Sequence, residues 1–277
     1  MKGLGVALGA GGARGFAHVA VLRRLSAKDM IPSYITGSSM GSVIGSAFAL
    51  FKDIRTVEKL VDYFVEKCAK SILELTRALQ GKVSLTGKLT AAYKTTATRS
   101  MMDEYFLYDL ISSIFGKARF SDVKIPLGVV ATDMRTGKKE LFDYGFLADA
   151  VCASSSVPGA FSPVSLAGSY FVDGGVTRVV PVEEAYRLGA KTVIGVDVSY
   201  VPKKNRFGST FDLISYVDDL KGEHLMKRDM ERAHLAIYFD SLDIEWFRFD
   251  LADEIIAKSD KILVDTYDKE IERLSLT

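Results

Sequence analysis

Tyr34-Ile35-Thr36-Gly37-Ser38-Ser39-Met40-Gly41-Ser42 decides how this 277-residue chain is read. Its centre is Gly-x-Ser-x-Gly, with a β-prone lead-in and a small-residue helical run, Val43 to Phe51, behind it. That is the pattern of a nucleophile elbow: a serine at the tip of a sharp strand-to-helix turn, with glycines where Cβ atoms would crowd the bend. Ser39 is the candidate nucleophile, and Gly37 and Gly41 are the glycines that shape its turn. The helix behind it brings a positive end and unpaired N–H groups beside Oγ. A Gly/Ser turn ahead of a buried helix would look the same locally, so the surrounding chain has to decide.

The next informative block lies upstream. Leu4 to Leu8 is a short buried-strand run, followed by Gly9-Ala10-Gly11-Gly12-Ala13-Arg14-Gly15 and a helical pattern through Leu25. Strand, glycine loop and helix in that order aim several backbone N–H groups into one concavity, which suits a phosphate or a developing oxyanion. A dinucleotide fingerprint is disfavoured, because Arg14 stands where the third glycine of a register starting at Gly9 belongs. A Walker loop lacks its Gly-Lys-Ser/Thr. If the second strand leads into the elbow, loop and Ser39 share one edge of a parallel sheet, and Gly11, Gly12, Ala13 and Arg14 become candidate oxyanion donors. Two readings of the Arg14 side chain compete, a lock on loop carbonyls and an anion ligand; the lock is preferred. His18 is read as a packed core residue and not as a base.

Composition bounds the rest. Hydrophobic residues make up 48% of the chain, enough for a sizeable core, and the length accommodates a single α/β domain over 1–277. Lys plus Arg (36) balance Asp plus Glu (35), so no field favours nucleic acid, and membrane contact would have to be local. Cys68 and Cys152 form no disulfide framework or metal spacing. The uncharged run Ile31 to Phe51 contains Pro32, three glycines and five serines, and Ala150 to Val172 contains Pro158 and Pro163. Neither is a membrane span. With no signal-peptide pattern, a cytoplasmic protein is expected, with peripheral contact at the inner membrane face left open.

Between about 53 and 117 the pattern turns helical and more charged, and it is read as a helical cap. It holds a helix from Asp53, a second starting near Ser71, a loop over Gly81 to Lys88 and a third helix from Ser100 to Phe115. Ile125 to Thr132 reads as a central strand, with a turn at Asp133 and a return through Lys139 to Phe142. A short helix near Phe146 to Cys152 runs into a serine cluster, Ser154 to Ser156. Tyr170 to Val172 reads as a strand ending in Asp173-Gly174-Gly175, which alone is an ordinary turn. Further on come a helix from Val182, Gly189 as its stop, strands near Thr192 to Val198 and Leu235 to Phe239, and a terminal helix from about Leu251 to Leu274.

Taken together, the glycine loop with His18, the elbow, the Ser-x-x-Val-Pro-x-x-Phe-x-Pro block of Ser154 to Pro163 and Asp173 to Val182 make the chain resemble the patatin-like phospholipase family, specifically its small bacterial members. The resemblance implies a three-layer α/β/α fold with a mainly parallel central sheet. It also implies a Ser39–Asp173 dyad in which the aspartate takes the serine proton directly, an oxyanion hole around Gly11 and Gly12, and calcium-independent hydrolysis of phospholipid, lysophospholipid or another fatty-acyl ester, with no cofactor and no metal. Gly174 and Gly175 belong to the same motif. Relatives often carry two asparagines before the following proline, where this chain has Arg178 and Val179. The competing readings are an α/β-hydrolase triad recruiting His224 or His234, and a silent family member acting as an adaptor.

Overall fold

The computed structural model describes residues 3–79, 105–199 and 210–275. Eight strands form one mixed sheet: β1 (Leu4–Leu8), β2 (Tyr34–Ser38), β3 (Leu127–Asp133), β4 (Lys138–Phe142), β5 (Val164–Leu166), β6 (Ser169–Val172), β7 (Thr192–Asp197) and β8 (Leu235–Tyr238). Their order is β5-β6-β3-β2-β1-β7-β8, with β4 also paired to β3. The run β3-β2-β1-β7-β8 is parallel, and the β3–β4, β3–β6 and β5–β6 pairs are antiparallel.

The period-two alternation of β1 sorts the two faces. Leu4, Val6 and Leu8 enter the large core on one side, beneath α1 (Ala17–Ala27), α2 (Met40–Phe51) and α5 (Leu147–Ser154). Ala7 belongs to a second cluster, with residues of α6 (Val182–Arg187) and α7 (Thr210–Met230). On that face β1 is small by necessity, since a Cβ on Gly5 would come within 2.7 Å of the Ala190 side chain. The result is a three-layer α/β/α sandwich. Outside it, α3 (Ile54–Leu79) crosses α2, and α4 (Phe106–Phe115) packs on α5.

Several boundaries differ from expectation for identifiable reasons. The helix from Ile54 runs unbroken through Ser71 to Leu79, because no Gly or Pro interrupts it. The third cap helix is described from Phe106, and its expected start at Ser100, like the loop Gly81 to Lys88, lies outside the described residues. The terminal helix is α8 (Ala252–Ile262) and α9 (Asp268–Ser275) joined by a π-turn over Leu263–Tyr267. The short strand β5 is absent from the sequence reading. It pairs with β6 through a turn at Ala167 and Gly168, both at positive φ (49° and 79°). None of the described helices is long and apolar enough to cross a membrane.

Candidate active site

The elbow exists because three backbones meet where side chains would not fit. A Cβ on Gly37 would lie 2.5 Å from Gly41 O and Ser42 Cα, and one on Gly41 would lie 2.2 Å from Leu8 O. Removing both side chains lets α2 turn back tightly over the ends of β1 and β2. Ser39 is left at the bend with φ 53° and ψ −125°, a region that non-glycine residues rarely occupy. Such a conformation costs on the order of 1–3 kcal/mol and persists only where its surroundings over-determine it. Here they do. Ser39 N–H donates to Ser154 Oγ (2.9 Å), whose own hydroxyl donates to Val130 O (2.6 Å), and Ser39 O accepts from Ser42 N and Oγ. Every polar backbone group of Ser39 is thus held without using its Oγ.

Asp173 is fixed just as firmly. Its N–H donates to Ser156 O (2.9 Å) and its carbonyl accepts from Thr132 Oγ1 (2.9 Å), so β6 ends against β3 and α5. Its Oδ1 accepts from Gly175 N–H (2.8 Å). Oδ2 is buried without a hydrogen bond among the described residues. Burial pushes the carboxyl up to about 6, against the opposing pull of the Ser39 hydroxyl and the Gly175 N–H, both of which favour the ionised form. Gly174 is required by the same crowding, because a Cβ there would lie 2.2 Å from Val130 O.

In the glycine loop, the N–H groups of Gly9 and Ala10 donate to Val196 O (3.0 Å) and Val179 O (2.9 Å). Ala13 N–H donates to Trp246 O at 2.7 Å, which removes it from the four donors expected at the site: the carbonyl of a distant loop has taken that group. Gly11 and Gly12 N–H have no acceptor among the described residues. Gly12, at φ 58°, lines the same cavity as Ser39, and a Cβ on it would meet Trp246 O at 2.3 Å. The Arg14 side chain is the lock expected of it: buried, with Nε donating to Val198 O (2.9 Å) and Nη1 to Ile244 O (2.8 Å). His18 is fully buried and donates Nε2–H to Gly9 O (2.8 Å), while desolvation lowers it to about 4 and keeps it neutral.

Arg178, where the sequence departs from the expected asparagines, pins the loop after Asp173 by other means. It pairs with buried Asp229 on α7, with Glu183 (2.7 Å) and with the fully buried Glu184, which also meets Lys139. Asp229 Oδ2 in turn accepts Val180 N–H (3.1 Å), and the carbonyl of Val179 holds Ala10. The loop after Asp173 and the glycine loop are therefore tied together through these residues. Arg178→Ala strands buried carboxylates and is expected to destabilise the fold by about 3–5 kcal/mol. Urea denaturation reads this directly, and Arg178→Ala combined with Asp229→Leu should recover part of the loss.

Sequence reasoning did not identify Ser154, Thr132 or Trp246 as partners of the site. The serine cluster was visible, but which of its members reaches the elbow depends on how α5 ends.

The cavity in front of Ser39 is apolar, walled by Cys68 of α3, by Leu107 and Leu110 of α4, and by Val157, Trp246 and Phe249.

A family profile described as patatin-like phospholipase matches residues 6–186. An uncharacterised NTE family protein of Mycobacterium bovis is 31% identical over 196 residues, which are 70% of this chain and 48% of that protein. A lysophospholipase of Candida glabrata is 26% identical over 80% of this chain and 12% of its own length. For the neuropathy target esterase of Drosophila melanogaster the figures are 27%, 80% and 14%. The chain thus spans less than half the length of each of these relatives. Among solved structures, VipD from Legionella pneumophila aligns with a TM-score of 0.46 at 15% identity, covering 93% of this chain and 67% of that one. With the profile extending from β1 to α6, the chain belongs to the patatin-like phospholipase family.

Proposed function

We propose that the chain is a serine lipid acyl hydrolase, releasing fatty acid from phospholipid, lysophospholipid or a related acyl ester through a Ser39–Asp173 dyad. The observation that carries this is a strained serine lining an apolar cavity, its hydroxyl acting on the buried carboxylate of Asp173. Two relatives bear the names lysophospholipase and esterase, which fits an acyl-ester substrate.

In the first step Ser39 Oγ attacks the ester carbonyl while its proton passes to Asp173 Oδ2. The tetrahedral oxyanion is met by the N–H groups of Gly11 and Gly12 beside the positive end of α2. Collapse expels the alcohol, which takes the proton back from Asp173 and leaves an acyl-serine. Asp173 then accepts a proton from water as it attacks, and the fatty acid departs with Ser39 restored. A carboxyl raised to about 6 is far better matched to this shuttling than an ordinary aspartate. The walls supplied by α3 and α4 take the acyl chain, and on this reading residues 1–277 form one hydrolase domain with those helices as its cap.

A triad built on His224 or His234 is the alternative. His234 Nδ1 lies 2.9 Å from Tyr186 Oη and 3.3 Å from Val193 N, on the α6 side of the sheet, and Asp173 has no histidine among its hydrogen-bond partners. His224→Ala and His234→Ala are therefore expected to retain lysophospholipid hydrolysis within a few-fold. A loss of about 10⁴-fold in either, the scale of a disabled triad, would overturn the dyad.

A further inference from the structure

Behind the cavity in front of Ser39 lies a second one, and the two share a wall. The outer space, about 60 Å³, and the inner, about 10 Å³ and so no larger than a single water needs, are both lined by Met40, Val43 and Phe64. Beyond that wall the inner cavity continues past Ile44 and Ala47 of α2 and Val57 and Leu60 of α3, and it is lined only by apolar side chains. Met40, Val43, Ile44 and Ala47 fall on one face of α2, so the residues lining the inner cavity on this side are spread along the helix away from Ser39 over roughly 10 Å, seven residues at the helical rise.

Of the three shared residues, Phe64 is the aromatic one. Its ring packs edge-on against Phe16, which lines the inner cavity, at a centroid distance of 6.2 Å. It also packs, tilted, against Phe249, which lines the outer cavity, at 5.7 Å. Phe64 is 6% exposed, and Phe16 and Phe249 also touch each other, with centroids 6.0 Å apart, so the three rings close into a triangle.

Building on the hydrolase reading above, we propose that Phe64 is the residue that sets acyl-chain length in this protein. It acts as a floor that stops the chain at the outer cavity and covers the small apolar gap beneath, which can hold chain only when the ring moves or is removed. Short and medium chains end against the ring. Longer chains have to displace it, losing its contacts with Phe16 and Phe249. Removing the ring joins the two spaces into one channel running along α2.

The test is a series of nitrophenyl esters from butyrate to palmitate, hydrolysed by wild type, Phe64→Ala and the double variant Phe64→Ala/Ala47→Leu. The ratio of kcat/KM for palmitate to that for octanoate should rise roughly tenfold or more in Phe64→Ala, the scale of a change of this kind in a hydrophobic pocket. It should fall back in the double variant, where the leucine refills the inner space. An unchanged ratio in Phe64→Ala, or no reversal by Ala47→Leu, overturns the proposal. Phe64→Leu, a smaller opening, serves if the alanine variant does not fold, and should move the ratio in the same direction.

Binding separates this idea from the hydrolase reading. Thermal shifts with free octanoate and palmitate should show the same change of preference between wild type and Phe64→Leu. Wild type that hydrolyses no ester while this binding preference moves would remove the hydrolase reading and leave the floor standing. Hydrolysis with no change of preference would do the reverse.

Discussion

Ser39→Ala is expected to abolish ester hydrolysis, lowering kcat by about 10⁴-fold or more, and to eliminate covalent labelling by a fluorophosphonate probe. Its fold should survive intact. The hydrogen bonds that fix the elbow run through the Ser39 N–H, to Ser154, and its carbonyl, from Ser42, and none of them uses the hydroxyl. Alanine also keeps the Cβ that makes φ 53° unfavourable, so the strain at the elbow is unchanged. Glycine separates the two roles. Relief of about 1–3 kcal/mol of backbone strain, set against about 0.5–1 kcal/mol of extra chain entropy, makes Ser39→Gly more stable than wild type by roughly 1 kcal/mol. That variant should be as inactive as Ser39→Ala. Activity retained in Ser39→Ala would remove Ser39 from the chemistry, and a Ser39→Gly protein less stable than wild type would show that the elbow is not strained.

The elbow was legible in the sequence because its chemistry is local. Gly37, Ser39 and Gly41 lie within five residues, and the steric demand that selects the two glycines is made by the same turn that presents the serine. The parallel centre of the sheet was legible for a related reason, since buried runs such as Leu4 to Leu8 and Leu127 to Thr132 leave little choice of environment. What the sequence hides is pairing across distance. Nothing near Ala13 indicates that its N–H will be taken by Trp246, more than two hundred residues away, so the loop seemed to offer more donors than it has. In sequence Arg178 is only a departure from the asparagines relatives often carry, and it is Asp229 on α7 and Glu184 on α6 that make it a buried clamp. The wall between the two cavities is of the same kind. Phe64 reads as one position in an amphipathic stripe, and only its place on the lining of both cavities, in a ring cluster with Phe16 and Phe249, gives it a boundary to hold.

Asp173→Asn should lower kcat by about 10²–10⁴-fold, the contribution of a positioned general base, and should also make the protein more stable at neutral and alkaline pH. The second expectation follows from the sign of the shift. Burial raises the Asp173 carboxyl from 3.8 to about 6, so the folded state favours the protonated form. Between about pH 4 and pH 6 the native protein then binds more protons than the unfolded chain, and stability falls as pH rises through that window. Above it, the ionised carboxylate costs the fold about 3 kcal/mol, two pKa units at 1.36 kcal/mol each. Asparagine does not ionise, and its Oδ1 can still accept the Gly175 N–H. The stability gap between Asp173→Asn and wild type should therefore open from near zero at about pH 4 to about 3 kcal/mol at about pH 8. The catalytic profile runs the opposite way. Wild-type kcat/KM should climb through an apparent pKa near 6, because only the ionised carboxylate can accept the Ser39 proton. Urea melts of both proteins across this range, beside wild-type rates on one ester, place the two curves on a common axis. A flat rate between pH 5 and pH 7, or a variant less stable than wild type at pH 8, would mean that Asp173 is not a buried base held near neutrality at the expense of the fold.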